Sequence, residues 1–427
     1  MNEILFPKPP PANPMPLEDW LRRTDRAESG REAFFQGRDS EYQIFRDALL
    51  SLNSDVIGGG SMIFQGAPGA GKTAFMQECM EAVRQHSTIA DPWIAVLIDP
   101  ASLKWPNTVV RSMVSAANAE SERLLHHSDN RISATLKNSL EKGRQLLKEI
   151  PYRDVSISGV SLGKKELAES PQGLFEYVQP LLGNYHVVVF VDEAQNIVKD
   201  DITKGVIDCL HRNTQGIPLI TAFFGLSDTE EVLSERGLSR PPSERVVNLE
   251  LLSHEESSKV VQSVFEAYDF SGSREVRESW IERLAELSQG WPQHINRVTV
   301  AACRVIVEHG GEIKNEGLEL ALHHAQESKE NYYRTILRRC SSEPWVYKQL
   351  ALVLKDSDEV LGWSEIHHLT QFARSEKEQS TDEFLSDALH AGVLIETEKP
   401  PKHYQIPIPS FRDYLCTLPV NIPPDTI

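Results

Sequence analysis

Residues Gly66 to Thr73 read Gly-Ala-Pro-Gly-Ala-Gly-Lys-Thr, with the apolar run Ser61-Met62-Ile63-Phe64 before them and the helix-forming Ala74-Phe75-Met76-Gln77-Glu78 after them. Glycines, a lysine and a hydroxyl at this spacing narrow the local choice to strand, tight loop, helix. The small residues Gly66, Ala67, Pro68, Gly69, Ala70 and Gly71 let the backbone curl so that its N–H groups converge on an anion. Lys72 adds a charge for the outer phosphate oxygens, and Thr73 offers a hydroxyl to Mg²⁺. The helix behind the loop directs its positive end to the same place. A nucleoside triphosphate is the expected ligand, with Mg²⁺ beside it.

A second segment supplies what such a loop lacks. His186-Val187-Val188-Val189-Phe190-Val191 is continuously apolar and β-branched after its histidine, as a strand buried on both faces is, and it ends in Asp192 and Glu193. Carboxylates at the tip of a parallel strand face the ligand. Asp192 is placed to hold Mg²⁺ through its water shell, and Glu193 to polarise an attacking water beside the γ-phosphate.

The chain has 427 residues, 40% of them hydrophobic and 25% charged, enough for about three domains of ordinary globular composition. No run approaches the ~18 apolar residues of a membrane span, and the first residues carry no apolar stretch of signal-peptide type. The expectation is a cytoplasmic protein without a membrane partner. Five cysteines (Cys79, Cys209, Cys303, Cys340, Cys416) show no C-x-x-C spacing, which points to reduced, packed thiols rather than zinc or disulfides. A net charge of −18 opposes nonspecific attraction to nucleic acid, so any DNA contact must be local.

Six prolines in the first sixteen residues favour an extended, solvated leader over residues 1–34. From Phe35 the pattern alternates. Strands are expected at Ser61 to Gln65, Trp93 to Ile98, His186 to Val191, Ile217 to Phe224 and Val246 to Leu251, with helices between them. That is an α/β core over 35–252 with a parallel sheet. A helical insertion (Thr108 to Ile150) and a small hairpin (Asp154 to Leu162) fall between the second and third strands. Beyond Ser253 the chain reads as helical, a lid over 253–330. From 331 to 427 three helices and two strands around Lys399 and Lys402 give a winged-helix pattern.

From about Phe35 to the C-terminus the chain resembles the AAA+ ATPases of the initiator and transposon-regulator type, with features of the STAND signalling ATPases. The resemblance rests on Gly37-Arg38-Asp39, the Gly66 to Thr73 loop, Asp192-Glu193-Ala194-Gln195, Phe224-Gly225-Leu226-Ser227-Asp228, Ser239-Arg240, Gly290-Trp291-Pro292 and the C-terminal pattern. It implies an α/β P-loop fold with a lid and a winged helix, ATP hydrolysis with Mg²⁺, self-association, protein partners, and DNA as one further partner. Residue by residue, it implies Arg38 near the adenine, Ser227 (with Asp228 as alternative) as the sensor after the fourth strand, and Pro292 at the nucleotide. Arg240 is implied as a finger reaching a neighbouring subunit, with Arg236 and Arg245 as competitors. The resemblance departs after Gly290: initiator-type members carry an arginine three residues on, where this chain has Gln293 and then His294. The Gly-x-Pro form is similar to STAND proteins and leans toward a switch rather than a motor.

The remaining candidates carry less. His126-His127, His323-His324 and His367-His368 are adjacent, so each pair points to two helix faces and is not expected to share a metal. Trp280, Trp291, Trp345 and Trp363 are expected to pack. Asn331 to Arg339 is a basic aromatic stretch that either touches phosphates or packs as a linker helix.

Overall fold

Because Val187 to Val191 present no polar side chain to water, the strand they form has to be covered on both faces, and it is. All five residues are buried in a parallel five-stranded sheet whose strands lie in the order Trp93–Ile98, His186–Val191, Leu219–Gly225, Gly60–Gln65 and Val246–Asn248. The computed structural model describes residues 6–23, 33–53, 60–126, 133–150, 170–212, 216–238, 243–357, 360–371, 380–396 and 403–418. The chain divides into two units. Unit 1 comprises Met1–Pro10, Asp39–Gln65 and Lys72–Asn248; unit 2 comprises Pro11–Arg38, Gly66–Gly71 and Leu249–Ile427.

In chain order, helix α1 (Leu17–Arg23) belongs to unit 2, and unit 1 then runs α2 (Asp39–Leu50), β1 (Gly60–Gln65), α3 (Lys72–His86), β2 (Trp93–Ile98), α4 (Pro106–His126) and α5 (Ser133–Glu149). It continues α6 (Pro171–Leu182), β3 (His186–Val191), α7 (Asp201–Arg212), β4 (Leu219–Gly225), α8 (Thr229–Glu235) and β5 (Val246–Asn248). β4 lies between β1 and β3, with Gln65 level with Gly225 and Val191 level with Phe223. The C-terminal tips of these three strands therefore sit side by side. β5 is shorter than the expected Val246 to Leu251 because it pairs only with β1, and that ladder ends where Gln65 meets Asn248.

The insertion is part of the core rather than an appendage. Val109, Val110, Met113 and Val114 of α4 are fully buried with Val187, Val189 and Phe223, each contributing about 1.5–3 kcal/mol of apolar burial. Arg111 fastens α5 to α4 through the Ile150 carbonyl at 2.7 Å. The expected hairpin at 154–162 lies outside the described residues.

Unit 2 continues with α9 (His254–Ala267), α10 (Arg274–Ser288), α11 (Pro292–Glu308) and α12 (Asn315–Leu337), then α13 (Pro344–Ser357), β6 (Leu361–Gly362), α14 (Trp363–Gln371), α15 (Thr381–Ala391), β7 (Ile395–Glu396), β8 (His403–Gln405) and α16 (Pro409–Thr417). The last three strands form an antiparallel sheet of order β6-β8-β7. Trp280, Ile295, Val298 and Ala321 centre the core of α9 to α12. Residues 331–337 continue α12, since no Gly or Pro interrupts Leu318 to Glu343 and Tyr332, Tyr333 and Ile336 keep its buried face going.

The expected solvated leader is corrected in two places. Phe6 is fully buried against His86 and Trp93, at ring distances of 3.8 and 4.7 Å, and Trp20 of α1 packs on Phe34 and Tyr268. Large aromatics on either side of the proline run outweigh the extended preference of the prolines themselves, because each removes so much apolar surface from water. Trp363 is corrected in the other direction. It is 42% exposed and stacks on His367 with its indole N–H on Asp382 at 2.8 Å.

Candidate functional site

The Lys72-Thr73 pair opens α3, and within unit 1 it meets the carboxylates that follow β3. The Thr73 hydroxyl donates to Asp192 Oδ2 at 2.8 Å. Lys72 is buried, which pushes its ammonium down to about 8 despite the pull of Glu193 and Asp192. Burial likewise raises Asp192, opposed by the Thr73 hydroxyl and the Glu193 backbone N–H, which donates at 2.9 Å. Glu193 adopts φ 51°, ψ 42°, a left-handed conformation that costs a residue with a Cβ of order 1 kcal/mol or more. Gln195 holds it there: its amide donates to the Glu193 carboxylate while its carbonyl accepts from Leu226 N at 3.1 Å. The two carboxylates are thereby tied to the segment that follows β4.

The loop Gly66–Gly71 is described with unit 2. For its N–H groups to converge on an anion its carbonyls must turn outward, and three consecutive carbonyls find donors from three distant segments. Pro68 O accepts from the Tyr332 hydroxyl at 3.3 Å, Gly69 O from the Gln293 N–H at 3.2 Å, and Ala70 O from the Arg38 guanidinium at 3.1 Å. Ala67 O accepts from Ala70 N at 3.1 Å. Gly69 has φ +86°, and a Cβ there would stand 2.3 Å from Gln293 Oε1, so only glycine satisfies both backbone and neighbour. Arg38 is itself left-handed (φ 62°), 4% exposed, and bonded also to the Glu250 carbonyl, with its own N–H on Glu256 at 3.3 Å. Its guanidinium is thus a brace of the loop backbone. Pro292 packs over Gly71, whose added Cβ would lie 3.5 Å from the Pro292 Cβ.

His294, in the first turn of α11, is fully buried with its ring edges on Tyr332 and Tyr333 at 5.8 and 5.4 Å. Burial, then the Lys329 and Arg297 charges, hold it down to about 3. Ser227 lies half-buried just past β4, one residue from the Leu226 N–H that Gln195 holds. Arg240 falls outside the described residues. Its competitors are engaged within the chain: Arg236 donates to Ile197 O at 2.6 Å and Val232 O at 2.9 Å, and Arg245 to Ser51 at 3.2 Å. His323 and His324, which adjacency alone would keep apart, bring ligand atoms within 4.8 Å of each other and of Glu327. That trio lies on α12.

Sequence reasoning missed the supporting roles of Gln195, Glu256, Gln293 and Tyr332. Gln195 stood inside a quoted motif, and Ser253-x-x-Glu256 is a readable capping box. Gln293 was marked only as the departure from an expected arginine, and Tyr332 only as part of a basic aromatic stretch.

A buried ammonium at a helix N-terminus suits an anion, and a hydroxyl with a carboxylate 2.8 Å away is an all-oxygen donor set of the kind Mg²⁺ takes. The residues fit a phosphorylated ligand and a hard divalent cation.

Parallel sheet, glycine loop and carboxylate-tipped strand together make an α/β P-loop fold of the AAA+ type, and residues 57–233 match the family model described as an AAA domain. Among solved structures, the Walker-type ATPase of Pyrococcus abyssi shares 15% identity over 92% of this chain and 99% of its own, with a TM-score of 0.52, which shows a common fold. The ORC2 protein of Aeropyrum pernix is similar at 10% identity, 92% and 97% coverage and a TM-score of 0.49. Cdc6p of Pyrobaculum aerophilum is similar at 15%, 89% and 94%, and 0.40. No curated protein matches the sequence. Among the described residues no helix is long and apolar enough to cross a membrane.

Proposed function

We propose that the protein is a Mg²⁺-dependent ATPase acting as a self-associating regulator, with α9 to α12 as its lid and α13 to α16 with β6 to β8 as a winged helix. The observation that carries the reading is the Thr73–Asp192 hydrogen bond of 2.8 Å, which joins the phosphate-loop motif to the carboxylate strand. Mg²⁺, when bound, neutralises charge on the β- and γ-oxygens. Thr73 and Asp192 would hold it, Lys72 would sit against the phosphates, and Glu193, fixed by Gln195, would orient the attacking water. Ser227 would report the γ-phosphate to the segment after β4. The winged-helix reading rests on the order helix, strand, helix, helix, strand, strand with an antiparallel sheet.

Lys72→Ala should abolish ADP and ATP binding, whereas Glu193→Gln should bind both and turn over ATP about 10²-fold or more slower. Titration with a fluorescent ADP and a phosphate-release assay decide it. Wild-type turnover in Glu193→Gln would sink the assignment.

Two observations favour a switch that retains ADP over a DNA-driven motor. Residues 340–427 hold seven Lys and Arg against fourteen Asp and Glu, and α15, where a DNA reader would place base contacts, offers Asp382, Glu383 and Asp387 and no Lys or Arg. At the lid, the arginine's position is taken by the uncharged Gln293, and the next residue, His294, is fully buried on two tyrosines. In the same turnover assay duplex DNA should leave the rate unchanged; strong stimulation would restore the DNA-associated reading.

A further inference from the structure

The C-terminal elements of unit 2 reach the phosphate loop itself. Gly392 ends α15 with φ +78°, and a Cβ built on it would fall 2.3 Å from Pro68 Cδ and 2.4 Å from Cγ. The backbone at 392 therefore rests directly on the proline ring of the loop. Any other residue there would be strained in its backbone and would collide with Pro68 as well.

A second connection arrives through α12. Its adjacent tyrosines face different ways, as neighbours about 100° apart on a helix must. The Tyr332 hydroxyl holds Pro68 O at 3.3 Å. The Tyr333 hydroxyl shares a 2.5 Å hydrogen bond with Ser410, and its ring stacks on Phe411 at 5.0 Å, both in α16. One turn of helix is thus gripped by the phosphate loop on one side and by the last helix on the other. Packed side chains of this kind shift between discrete arrangements rather than yielding continuously.

We propose that Pro68 is the point at which the C-terminal elements sense the nucleotide, with Tyr332 and Gly392 as positioning residues that set the shape of the phosphate loop and pass changes in that shape to α15 and α16. The inference rests on the nucleotide-binding reading above and adds its regulation. Occupation of the loop alters the pressure of Pro68 on Gly392, and displacement of α15 or α16 by a partner alters the loop. The coupling is reciprocal, as linkage requires.

The test uses the full chain. Wild-type protein is first titrated with fluorescent ADP; failure to bind would remove the nucleotide reading and this inference with it. Given binding, Tyr332→Phe should release ADP about five-fold faster, the loss of one ordinary hydrogen bond, with KM for ATP raised. Pro68→Ala leaves the loop motif intact but removes the ring under Gly392. Hydrogen exchange of 384–394 should then be faster without nucleotide, and the slowing that ADP produces there in the wild type should vanish. Gly392→Ala risks misfolding, and Pro68→Ala answers the same question from the other side of the contact. Wild-type ADP release in both variants, with exchange at 384–394 indifferent to ADP in all three proteins, would overturn the proposal.

Discussion

At the scale of single residues, the site is built from groups held in states they would not adopt alone. Arg38 and Glu193 are non-glycine residues in left-handed conformation, each kept there by a side-chain partner, Glu256 for the first and Gln195 for the second. His294 is held neutral by burial, and this has a measurable sign. The unfolded histidine takes up a proton below its ordinary value of 6.5, while the folded one resists until about 3, so stability should fall as pH drops through that window. The slope attributable to the residue is at most about 1.4 kcal/mol per pH unit. His294→Leu should flatten the pH dependence of the denaturation midpoint between pH 6.5 and about 4, whatever it does to the midpoint at pH 8. An unchanged slope would mean that other groups carry the acid sensitivity.

Among the elements, α9 shows how a helix cap can serve a distant loop. Ser253 accepts from Glu256 N at 3.2 Å, and Glu256 returns the bond to Ser253 N at 2.7 Å while its other oxygen takes the Arg38 N–H. Removing the serine should cost about 1 kcal/mol of stability. Removing the glutamate should cost that and also release Arg38 from Ala70. Ser253→Ala should therefore lower the melting point alone, and Glu256→Ala both the melting point and ADP affinity, as thermal melts and ADP titration would show. The same elements explain what could be read from sequence. Loop and carboxylate strand were legible because each is written in contiguous residues whose types admit few alternatives. The supports of the loop were not, because Arg38, Gln293 and Tyr332 meet it only through the fold, and a tyrosine at the end of a helix looks like any packing residue. Leader aromatics escaped notice beneath the prolines, and β5 ran shorter than its apolar pattern because its partner strand stops.

For the molecule as a whole, the proposed catalytic cycle turns on the self-association proposed with it. Arg236 and Arg245 are committed to backbone and hydroxyl acceptors of their own chain. Arg240 is thereby the candidate for a charge delivered across an interface, where a finger contributes about 10³–10⁵ in rate. Arg240→Ala and Glu193→Gln proteins, each inactive alone, should regain turnover when mixed, since some sites would then combine an intact finger with an intact glutamate. No recovery under conditions of proven co-assembly would place the arginine's role elsewhere. The net charge of −18 sets a further condition, because like-charged copies approach more readily as salt rises.

The tyrosine that holds Pro68 lies 264 residues further along the chain. At about 5–20 residues per second, a ribosome needs roughly 13–50 s to travel from one to the other. Throughout that interval the emerging polypeptide displays the motif without the last of its three carbonyl braces. A fragment cut short before residue 332 would keep Arg38 and Gln293 but lack the hydroxyl on Pro68, and its loop should hold ADP as loosely as that of Tyr332→Phe or more so.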